Sequence, residues 1–322
     1  MMKLSICLTY YDAIEFLSEC LESIAADPPT CDYEVVIVDD AAARPCAPAV
    51  ERVFPSARVI RNPVNLGFAA ANNVAWKQSI GEHVLFLNSD TKVLPGALDE
   101  LVGYLDTHAD AGAVGPMVLN TDGSFQPQCR RGRLTPLTGL NYSLRLDRVF
   151  PHHRTIAEYL MRYTDRNEIQ PVRALSGCCM MFRRTVLEQH GGLDESLHQY
   201  GEDLDLCYRI GNAGWELVYD PRARIVHHGG EGGTNIRVVR SIYYFHRSLW
   251  LVFRRYNTSH VFHLYSWFVL LMLGVRFGLA SVLLLAGNRR AGTRKGAQRF
   301  RRQDDPTPVH GAADQRSDPG DS

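Results

Sequence analysis

The chain has 322 residues, and its 35 Lys and Arg balance 35 Asp and Glu, so the formal net charge is zero. Without a global basic field, a protein that holds nucleic acid by counterion release is not expected. The hydrophobic fraction of 45% and the charged fraction of 22% are typical of a globular protein and exclude wholesale disorder and a polytopic membrane protein.

The first half of the chain alternates short apolar runs with helical patterns. This alternation predicts an α/β fold with a mainly parallel central sheet that is covered by helices. In such open sheets, ligands bind beyond the carboxyl ends of the strands. The predicted strands are 4–9, 34–38, 58–61 and 83–87, and the predicted helices are 13–25 and 69–78.

Polar residues follow two of these strands at the edge where a ligand is expected. Asp39 and Asp40 end the second strand, and Asn88, Ser89 and Asp90 end the fourth. Each acid taken alone is equally well explained as a helix cap, but several together favour a ligand site. The Asp90 carboxylate is a ligand that Mg²⁺ or Mn²⁺ prefers.

The second half of the chain is less regular. Residues 121–170 are rich in Arg, Pro and His, which predicts loops and short helices around a substrate cleft. Regular structure returns with a buried strand within 172–183 and a helix at 202–213, followed by strands at 216–219 and 223–228.

Two further polar clusters lie in this half. Glu202, Asp203 and Asp205 begin the helix, where acids also suit the helix dipole. Capping explains Glu202 equally well, whereas Asp203 has the position of a general base facing a cleft. His227 and His228 end an apolar strand and are followed by a glycine loop. A single His there is more often structural, but such a pair can complete a metal site, with His227 as the candidate ligand. No Gly-rich phosphate loop is present, so a metal is expected to hold any phosphate.

The C-terminal residues change in character. Residues 265–286 are mostly apolar and long enough to span a bilayer, and seven Lys and Arg follow between 289 and 302. An in-plane or re-entrant helix keeps this basic tail on the cytosolic side, and a core or oligomer-interface helix is the alternative. The predicted organisation is a catalytic domain at 1–240, a membrane-associating helical segment at 241–290 and a basic, then disordered tail at 291–322.

The expected location follows from the N-terminus and the cysteines. The first residues lack the apolar stretch of a signal peptide, and the eight cysteines contain no CxxC pair. We therefore expect a protein at the cytoplasmic face of the inner membrane, bound peripherally or through a re-entrant segment.

Five motifs follow one another along the chain: Leu4-Ser-Ile-Cys-Leu-Thr-Tyr-Tyr, Val38-Asp-Asp, Arg61-Asn-Pro-Val-Asn-Leu-Gly-Phe-Ala, Leu87-Asn-Ser-Asp and Gly201-Glu-Asp-Leu-Asp-Leu-Cys-Tyr-Arg. This ordered set resembles the family 2 glycosyltransferases, and within them the bacterial rhamnosyltransferase-like enzymes that build O-antigen or other cell-wall glycans. The resemblance covers residues 3–255. It implies a GT-A fold, a nucleotide-diphosphate sugar donor, a divalent metal and inversion at the anomeric carbon.

The resemblance also implies roles for individual residues. Asp203 would take the proton of the acceptor hydroxyl, with Glu202 beside it. Asp90 matches the last acid of the family's DxD metal motif, in which Asn88 replaces the first acid, and His227 would approach the metal or the diphosphate. The implied nucleotide-sugar pocket consists of Thr9, Tyr11, Asp39, Asp40, Asn65, Gly67, Phe68, Asn72, Asn88 and Ser89, and the implied acceptor side contains Gly177 and Trp215. A packed aromatic side chain in the core explains Trp215 at least as well.

The expected function is an inverting, metal-dependent transfer of a sugar, in first place rhamnose from dTDP-rhamnose. The acceptor would be a hydroxyl of a glycan or of a polyprenyl-linked glycan at the membrane surface. One alternative is a catalytically silent, membrane-associated scaffold that binds sugar nucleotides. A sugar nucleotidyltransferase is less favoured, because residues 9–15 contain neither the Gly nor the basic residue of its phosphate loop.

Overall fold

The computed structural model describes residues 2–197, 200–229 and 238–257, together with seven positions between 267 and 278. The described residues up to Asn257 belong to one compact unit.

The first half of this unit consists of alternating strands and helices, as predicted. Apolar residues at helical spacing, Ile14, Leu17, Leu21 and Ile24, bury one face of the first helix against the sheet. The elements are β1 (Leu4–Tyr10), α1 (Ile14–Ala26), β2 (Tyr33–Asp39), α2 (Ala47–Val53), β3 (Arg58–Arg61), α3 (Phe68–Gln78) and β4 (His83–Asn88).

The second half adds strands to the same sheet and a group of short helices. Its elements are β5 (Thr91–Val93), α4 (Ala97–Thr107), β6 (Ala111–Leu119), a 3-10 turn (Pro127–Cys129), β7 (Arg130–Arg131), α5 (Pro136–Ser143), α6 (Leu146–Val149), α7 (Arg154–Ala157), β8 (Gln170–Pro171), β9 (Ala174–Leu175), β10 (Cys179–Arg183), α8 (Arg184–His190), α9 (Glu202–Asn212), β11 (Glu216–His227) and α10 (Val238–Asn257).

The central sheet is mixed and mostly parallel. Nine strands form it in the order β3-β2-β1-β4-β10-β6-β11-β5, with β8 beside β11. The strands β3, β2, β1 and β4 are parallel, whereas β10 runs antiparallel to both β4 and β6. The predicted α/β class is therefore confirmed. A separate two-stranded sheet joins β7 to β9.

The register gathers strand ends at one edge of the sheet. Where β1 pairs with β4, Thr9 lies opposite Asn88. Where β1 pairs with β2, the strands end with Tyr10 opposite Asp39. At the far side, β11 pairs with β5 so that His227 lies opposite Thr91, the residue after Asp90. The predicted collection of polar groups at this edge therefore exists.

Three predicted strands differ from the structure. The apolar run within 172–183 is divided into β9 and β10 by a turn at 176–178. Conversely, the predicted strands 216–219 and 223–228 are one strand, β11, whose register shifts between Asp220 and Arg224. The shift accounts for the break in apolar pattern that separates the two predicted strands.

The last described helix packs on α9 through a buried carboxylate. Asp205 accepts hydrogen bonds from Tyr256 Oη at 2.8 Å and from Arg255, and Gly201 leaves room for Ser248. Residues 241–257 of the predicted membrane-associating segment therefore contact the α/β unit.

The rest of that segment lies almost wholly outside the described residues, as does the predicted tail. Among the residues that are described, no helix has the length and apolar character needed to cross a bilayer.

Candidate functional site

A three-residue turn between β9 and β10 connects the two halves of the candidate site. The carbonyl of Cys178 accepts the N–H of Asn88 at 2.9 Å. The N–H of Gly177 donates to Asp203 Oδ2 at 3.1 Å. A Cβ built on Gly177 would lie 3.5 Å from Asp203 Cβ and 3.7 Å from the Phe68 ring. The predicted metal end, the donor-side Phe68 and the predicted base therefore meet around one turn.

Asn88, Asp90 and His227 form the predicted metal end. His227 Nε2 lies 3.3 Å from Asp90 Oδ1 and 3.5 Å from Asn88 Nδ2. Asp90 is only 2% exposed, and the buried Asn88 Oδ1 has no hydrogen-bond partner among the described residues. An unsatisfied buried oxygen beside a carboxylate and an imidazole is a donor set that suits Mg²⁺ or Mn²⁺. These residues therefore fit a divalent cation.

Gln126 orients the imidazole of His227. Its side-chain N–H donates to the His227 carbonyl at 3.0 Å, and its Oε1 lies 3.3 Å from His227 Nδ1. When Nδ1 carries the proton and donates it to Gln126, the lone pair of Nε2 faces Asp90. This is the arrangement in which metal-binding imidazoles are held by a second residue.

A different acidic cluster lies at the opposite edge of the sheet. Glu82, His83 and Asp106 place one ligand atom each within 4.8 Å of the others. However, Lys3 Nζ lies 2.8 Å from both Glu82 and Asp106. The ammonium group already pairs with both carboxylates, and β4 separates them from Asn88 at its other end. This cluster is therefore better explained as a surface ion-pair network than as the predicted metal site.

Asp203 is held by an arginine that the sequence analysis did not identify. Arg131 Nη2 lies 2.5 Å from Asp203 Oδ2 and also donates to the carbonyl of Leu175. Burial lowers the pKa of Arg131, but the neighbouring Asp203 carboxylate raises it by more, so the pKa lies above that of an ordinary arginine. Asp203 Oδ1 accepts only the N–H of Leu204, at 2.7 Å, among the described residues. One oxygen of Asp203 is thus fixed, while the other retains an acceptor position.

Glu202 lies next to this pair without a comparable partner. It is 7% exposed, and its Oε2 makes no hydrogen bond to a described residue. Burial, together with the negative charge of Asp203, raises the pKa of Glu202 to about 8. The carboxyl group is therefore largely protonated at neutral pH and can donate a hydrogen bond.

Asp39 supports the loop that follows β2. Its carboxylate accepts the N–H groups of Ala42 at 2.9 Å and Cys46 at 3.2 Å, and Arg61 Nη1 lies 2.5 Å from it. It is 1% exposed. The structure thus gives Asp39 a role in shaping the pocket wall, and its contact with a nucleoside stays a prediction.

Asp40 supports a second loop in the same way. Its carboxylate accepts the N–H groups of Leu66 and Gly67, both at 2.9 Å, and the side-chain amide of Asn62 at 2.8 Å. The side chain of Asn65 donates to its carbonyl at 3.3 Å. Gly67 has a φ of 89°, a conformation that favours glycine, where the loop enters α3. The expected contact of Asp40 with a base edge stays a prediction.

The remaining predicted donor residues lie around the same edge. Thr9 and Tyr11 are partly exposed at the end of β1, whereas Ser89 is buried. Asn72 is also buried, and its Nδ2 donates to the carbonyl of Phe68 at 2.9 Å. Their contact with a nucleotide sugar stays a prediction.

Trp215 is the one predicted site residue that the structure does not bring to the others. It follows the last turn of α9, whereas Asp203 lies in the first turn, so about 14 Å of helix lie between Asp203 and the end of α9. Its side chain packs against the position of Gly112 and lines a cavity of about 440 Å³ with Tyr208 and Arg173. Its expected place beside the acceptor hydroxyl is therefore not supported by this geometry.

Arg131 and Gln126 contact the candidate site residues Asp203 and His227, and the sequence analysis missed both. Both lie in the irregular 121–170 segment, which was predicted to shape a cleft. The only local signal is the pair of neighbouring arginines, Arg130 and Arg131, at positions that are buried in the structure.

Comparisons with known proteins show the family to which the chain belongs and the fold that it shares. The family model described as "Glycosyl transferase family 2" matches residues 5–191. The N-acetylglucosaminyl-diphospho-decaprenol L-rhamnosyltransferase of Mycobacterium tuberculosis is 30% identical over 217 residues, which cover 64% of this chain and 69% of that protein. The O-antigen biosynthesis protein RfbC of Myxococcus xanthus is 30% identical over 70% of this chain, which spans only 17% of that protein.

Solved structures show the same fold. A mannosyltransferase of Pyrobaculum calidifontis in complex with GDP-Man and Mn²⁺ superposes with a TM-score of 0.57 at 17% identity, covering 92% of this chain and 82% of that one. TarS of Staphylococcus aureus in complex with UDP-GlcNAc gives a TM-score of 0.55 at 20% identity, covering 78% of this chain and 65% of that one. The predicted GT-A-like α/β fold is thereby supported. The chain belongs to glycosyl transferase family 2, which confirms the predicted enzyme class, a glycosyltransferase.

Proposed function

We propose that the protein transfers a sugar, in first place L-rhamnose from dTDP-rhamnose, to a hydroxyl of a glycan or lipid-linked glycan with inversion at the anomeric carbon. The observation that carries the proposal is the turn at 176–178. Through it, Asn88 of the metal end and Asp203 are held by adjacent residues, Cys178 and Gly177. The rhamnose assignment is supported by the 30% identity to the mycobacterial rhamnosyltransferase.

Asp203 is proposed to receive the proton of the acceptor hydroxyl. Arg131 and Gly177 hold Oδ2, so the open acceptor position on Oδ1 faces a fixed direction. A hydroxyl that donates to Oδ1 is oriented for attack on the anomeric carbon, and proton transfer to Oδ1 accompanies the attack. Arg131 is a positioning residue in this reaction, because it acts through Asp203.

Glu202 is proposed to bind the acceptor as a neutral acid. Its buried carboxyl group carries a proton at neutral pH, so it can donate a hydrogen bond to an acceptor oxygen next to the attacking hydroxyl. A neutral group there adds no second negative charge near Asp203.

Asn88, Asp90 and His227 are the residues proposed to hold a divalent cation. When bound there, Mg²⁺ or Mn²⁺ would neutralise charge on the departing nucleoside diphosphate. Gln126 keeps the Nε2 lone pair of His227 directed to that position.

The proposed place of action is the cytoplasmic face of the plasma membrane, with the segment 241–290 associated with the lipid surface. The support is the apolar run 265–286 with the basic residues that follow it, and a relative whose name specifies a decaprenol-linked substrate. We expect that deletion of residues 258–322 preserves donor hydrolysis and abolishes transfer to a lipid-linked acceptor in vesicles.

The test is a transfer assay with a panel of nucleotide sugars, with and without Mn²⁺. The acceptor is a short-chain polyprenyl diphosphate N-acetylglucosamine, and mass spectrometry detects the product. We expect product with dTDP-rhamnose and none with the Asp203→Asn variant. Asp110→Asn, at an exposed loop position on the opposite edge of the sheet, is the matched control.

The same assay also distinguishes the proposed enzyme from a catalytically silent scaffold that only binds sugar nucleotides. Binding of a sugar nucleotide by calorimetry without product or hydrolysis for any donor would favour the scaffold. Full activity of Asp203→Asn would contradict the proposed base.

A further inference from the structure

An exposed group of apolar side chains lies on the short helices that follow Arg131. We define the 133–154 hairpin as α5, α6 and the residues that flank them. Leu137, Leu144, Val149 and Phe150 are each more than half exposed on it. Four large apolar side chains in water within 14 residues are an unfavourable feature unless another apolar phase covers them.

The charges on the hairpin are almost all positive. Arg133, Arg145 and Arg148 are exposed, and none forms an ion pair with another residue that the structure describes. The only acid between 133 and 154 is Asp147, which is buried and accepts a bond from Arg162 Nε at 2.7 Å. The exposed surface therefore presents arginines among apolar side chains, with no accessible carboxylate.

The hairpin is built as a fixed structure. Thr135 caps α5 in a reciprocal capping box with Thr138. The Tyr142 and Tyr159 rings pack edge to face with centroids 5.1 Å apart. These contacts, with the buried Asp147, hold the helices from within, so the outward apolar side chains are not needed for the core.

The position of the hairpin connects it to the site. Its chain enters from β7, where Arg131 pairs with Asp203. Leu134 N–H donates to Tyr208 Oη at 2.7 Å, and Asn257 Nδ2 donates to the Leu134 carbonyl at 3.5 Å. The hairpin therefore starts beside the proposed base and touches the last residue of α10, after which the sequence continues to the apolar run 265–286.

We propose that the 133–154 hairpin is a membrane-contact surface that binds anionic phospholipids. Leu144, Val149 and Phe150 enter the boundary between headgroups and acyl chains, and Arg145 and Arg148 bind the lipid phosphates. The absence of accessible acids on the hairpin favours an anionic lipid surface over a protein partner of mixed charge. Lipid binding by the hairpin would hold the proposed base, Asp203, at the level of the lipid headgroups. This benefit for sugar transfer rests on the proposed function, whereas lipid binding itself does not.

The experiment measures binding of the full chain to vesicles by flotation. The vesicles contain phosphatidylcholine alone or phosphatidylcholine mixed with phosphatidylglycerol. The double variant Arg145→Glu/Arg148→Glu is expected to lower affinity for the anionic vesicles by about 30-fold or more, since each arginine near the surface contributes about fivefold. The control Arg52→Glu/Lys77→Glu reverses two exposed charges on α2 and α3 and is expected to retain the affinity of the unmodified chain.

A second variant tests insertion directly, so that binding by other segments cannot hide the result. Phe150→Trp is expected to add fluorescence that anionic vesicles shift to shorter wavelength and that brominated lipid quenches. Equal vesicle affinity of the arginine variant and its control, or no quenching of Phe150→Trp, would overturn the proposal. Self-association through the hairpin, seen by light scattering without lipid and lost in the arginine variant, would likewise overturn it. Hydrolysis of the sugar donor by the same protein is measured in solution. Absence of hydrolysis would indicate failure of the proposed function, independently of whether the chain binds vesicles.

Discussion

Replacing Glu202 by Gln is expected to change how the stability of the protein depends on pH. The pKa of Glu202 is raised from 4.5 to about 8 by burial and then by the charge of Asp203. Between these values the folded protein keeps a proton that the unfolded chain has released. The stabilising contribution of the neutral acid is therefore complete below pH 4.5 and is lost progressively as the pH rises through about 8.

The magnitude follows from the two pKa values. Because one pH unit corresponds to about 1.4 kcal/mol, the wild type is expected to lose about 2 to 3 kcal/mol more than the Gln variant between about pH 5.5 and about pH 7.5. Glutamine keeps the shape of the neutral acid but does not titrate. Glu202→Gln should therefore be more stable than the wild type at the higher pH.

Urea unfolding at both pH values measures this difference. Other groups that titrate in the same range contribute equally to wild type and variant and cancel in the comparison. The control Glu188→Gln removes an exposed acid from α8 and is expected to follow the wild type. If wild type and Glu202→Gln lose stability in parallel, the neutral, buried state inferred for the Glu202 carboxyl group is incorrect.

Three further outcomes are expected. Asp40→Ala removes the acceptor of the Leu66 and Gly67 N–H groups and should lower the free energy of unfolding by about 2 to 3 kcal/mol in denaturant titrations; an unchanged midpoint would show that these groups find other partners. Gly192→Ala places a Cβ onto Asn73 Oδ1 and should lower the free energy of unfolding by about 1 to 3 kcal/mol. The matched variant Gly177→Ala, whose added Cβ has its nearest contact at 3.5 Å, should unfold close to the wild-type temperature in calorimetry. Gln126→Leu removes the partner of His227 Nδ1 and should weaken Mn²⁺ binding in the presence of a nucleotide sugar by about 10- to 100-fold; equal titration curves would refute the orienting role.

The parts of the fold that could be predicted are those in which local pattern and burial coincide. β1 and β4 are short apolar runs between polar residues, and α1 carries its apolar residues at helical spacing. β6 lacks such a pattern, because Gly112, Gly115 and Pro116 interrupt it. Packing accounts for the two glycines, since an added Cβ would approach Trp215 Cβ at Gly112 and Leu175 Cδ2 at Gly115 to 2.8 Å each.

The residues of the candidate site likewise fall into a group that could be predicted from the sequence and a group that could not. Residues at strand ends could be placed by register alone, because parallel strands that pair bring their ends together. The position of Arg131 could not be predicted, because its partner Asp203 is 72 residues away in the sequence and β7 is only two residues long, too short to show a periodicity. Trp215 was assigned by motif resemblance, which carries no information about which end of a helix faces the cleft.

The anchoring of α10 determines how short a folded version of this protein can be. Asp205 is completely buried, and two of its three side-chain donors, Arg255 and Tyr256, come from the end of α10. A chain that stops at 191 would lack α9 and with it Asp203. A chain that stops at 240 would keep α9 but would leave the Asp205 carboxylate without Arg255 and Tyr256, in the same helical turn that presents Asp203. We therefore expect the folded unit to require the chain at least to Asn257, and expression boundaries chosen from sequence matches alone would remove the support of the proposed base.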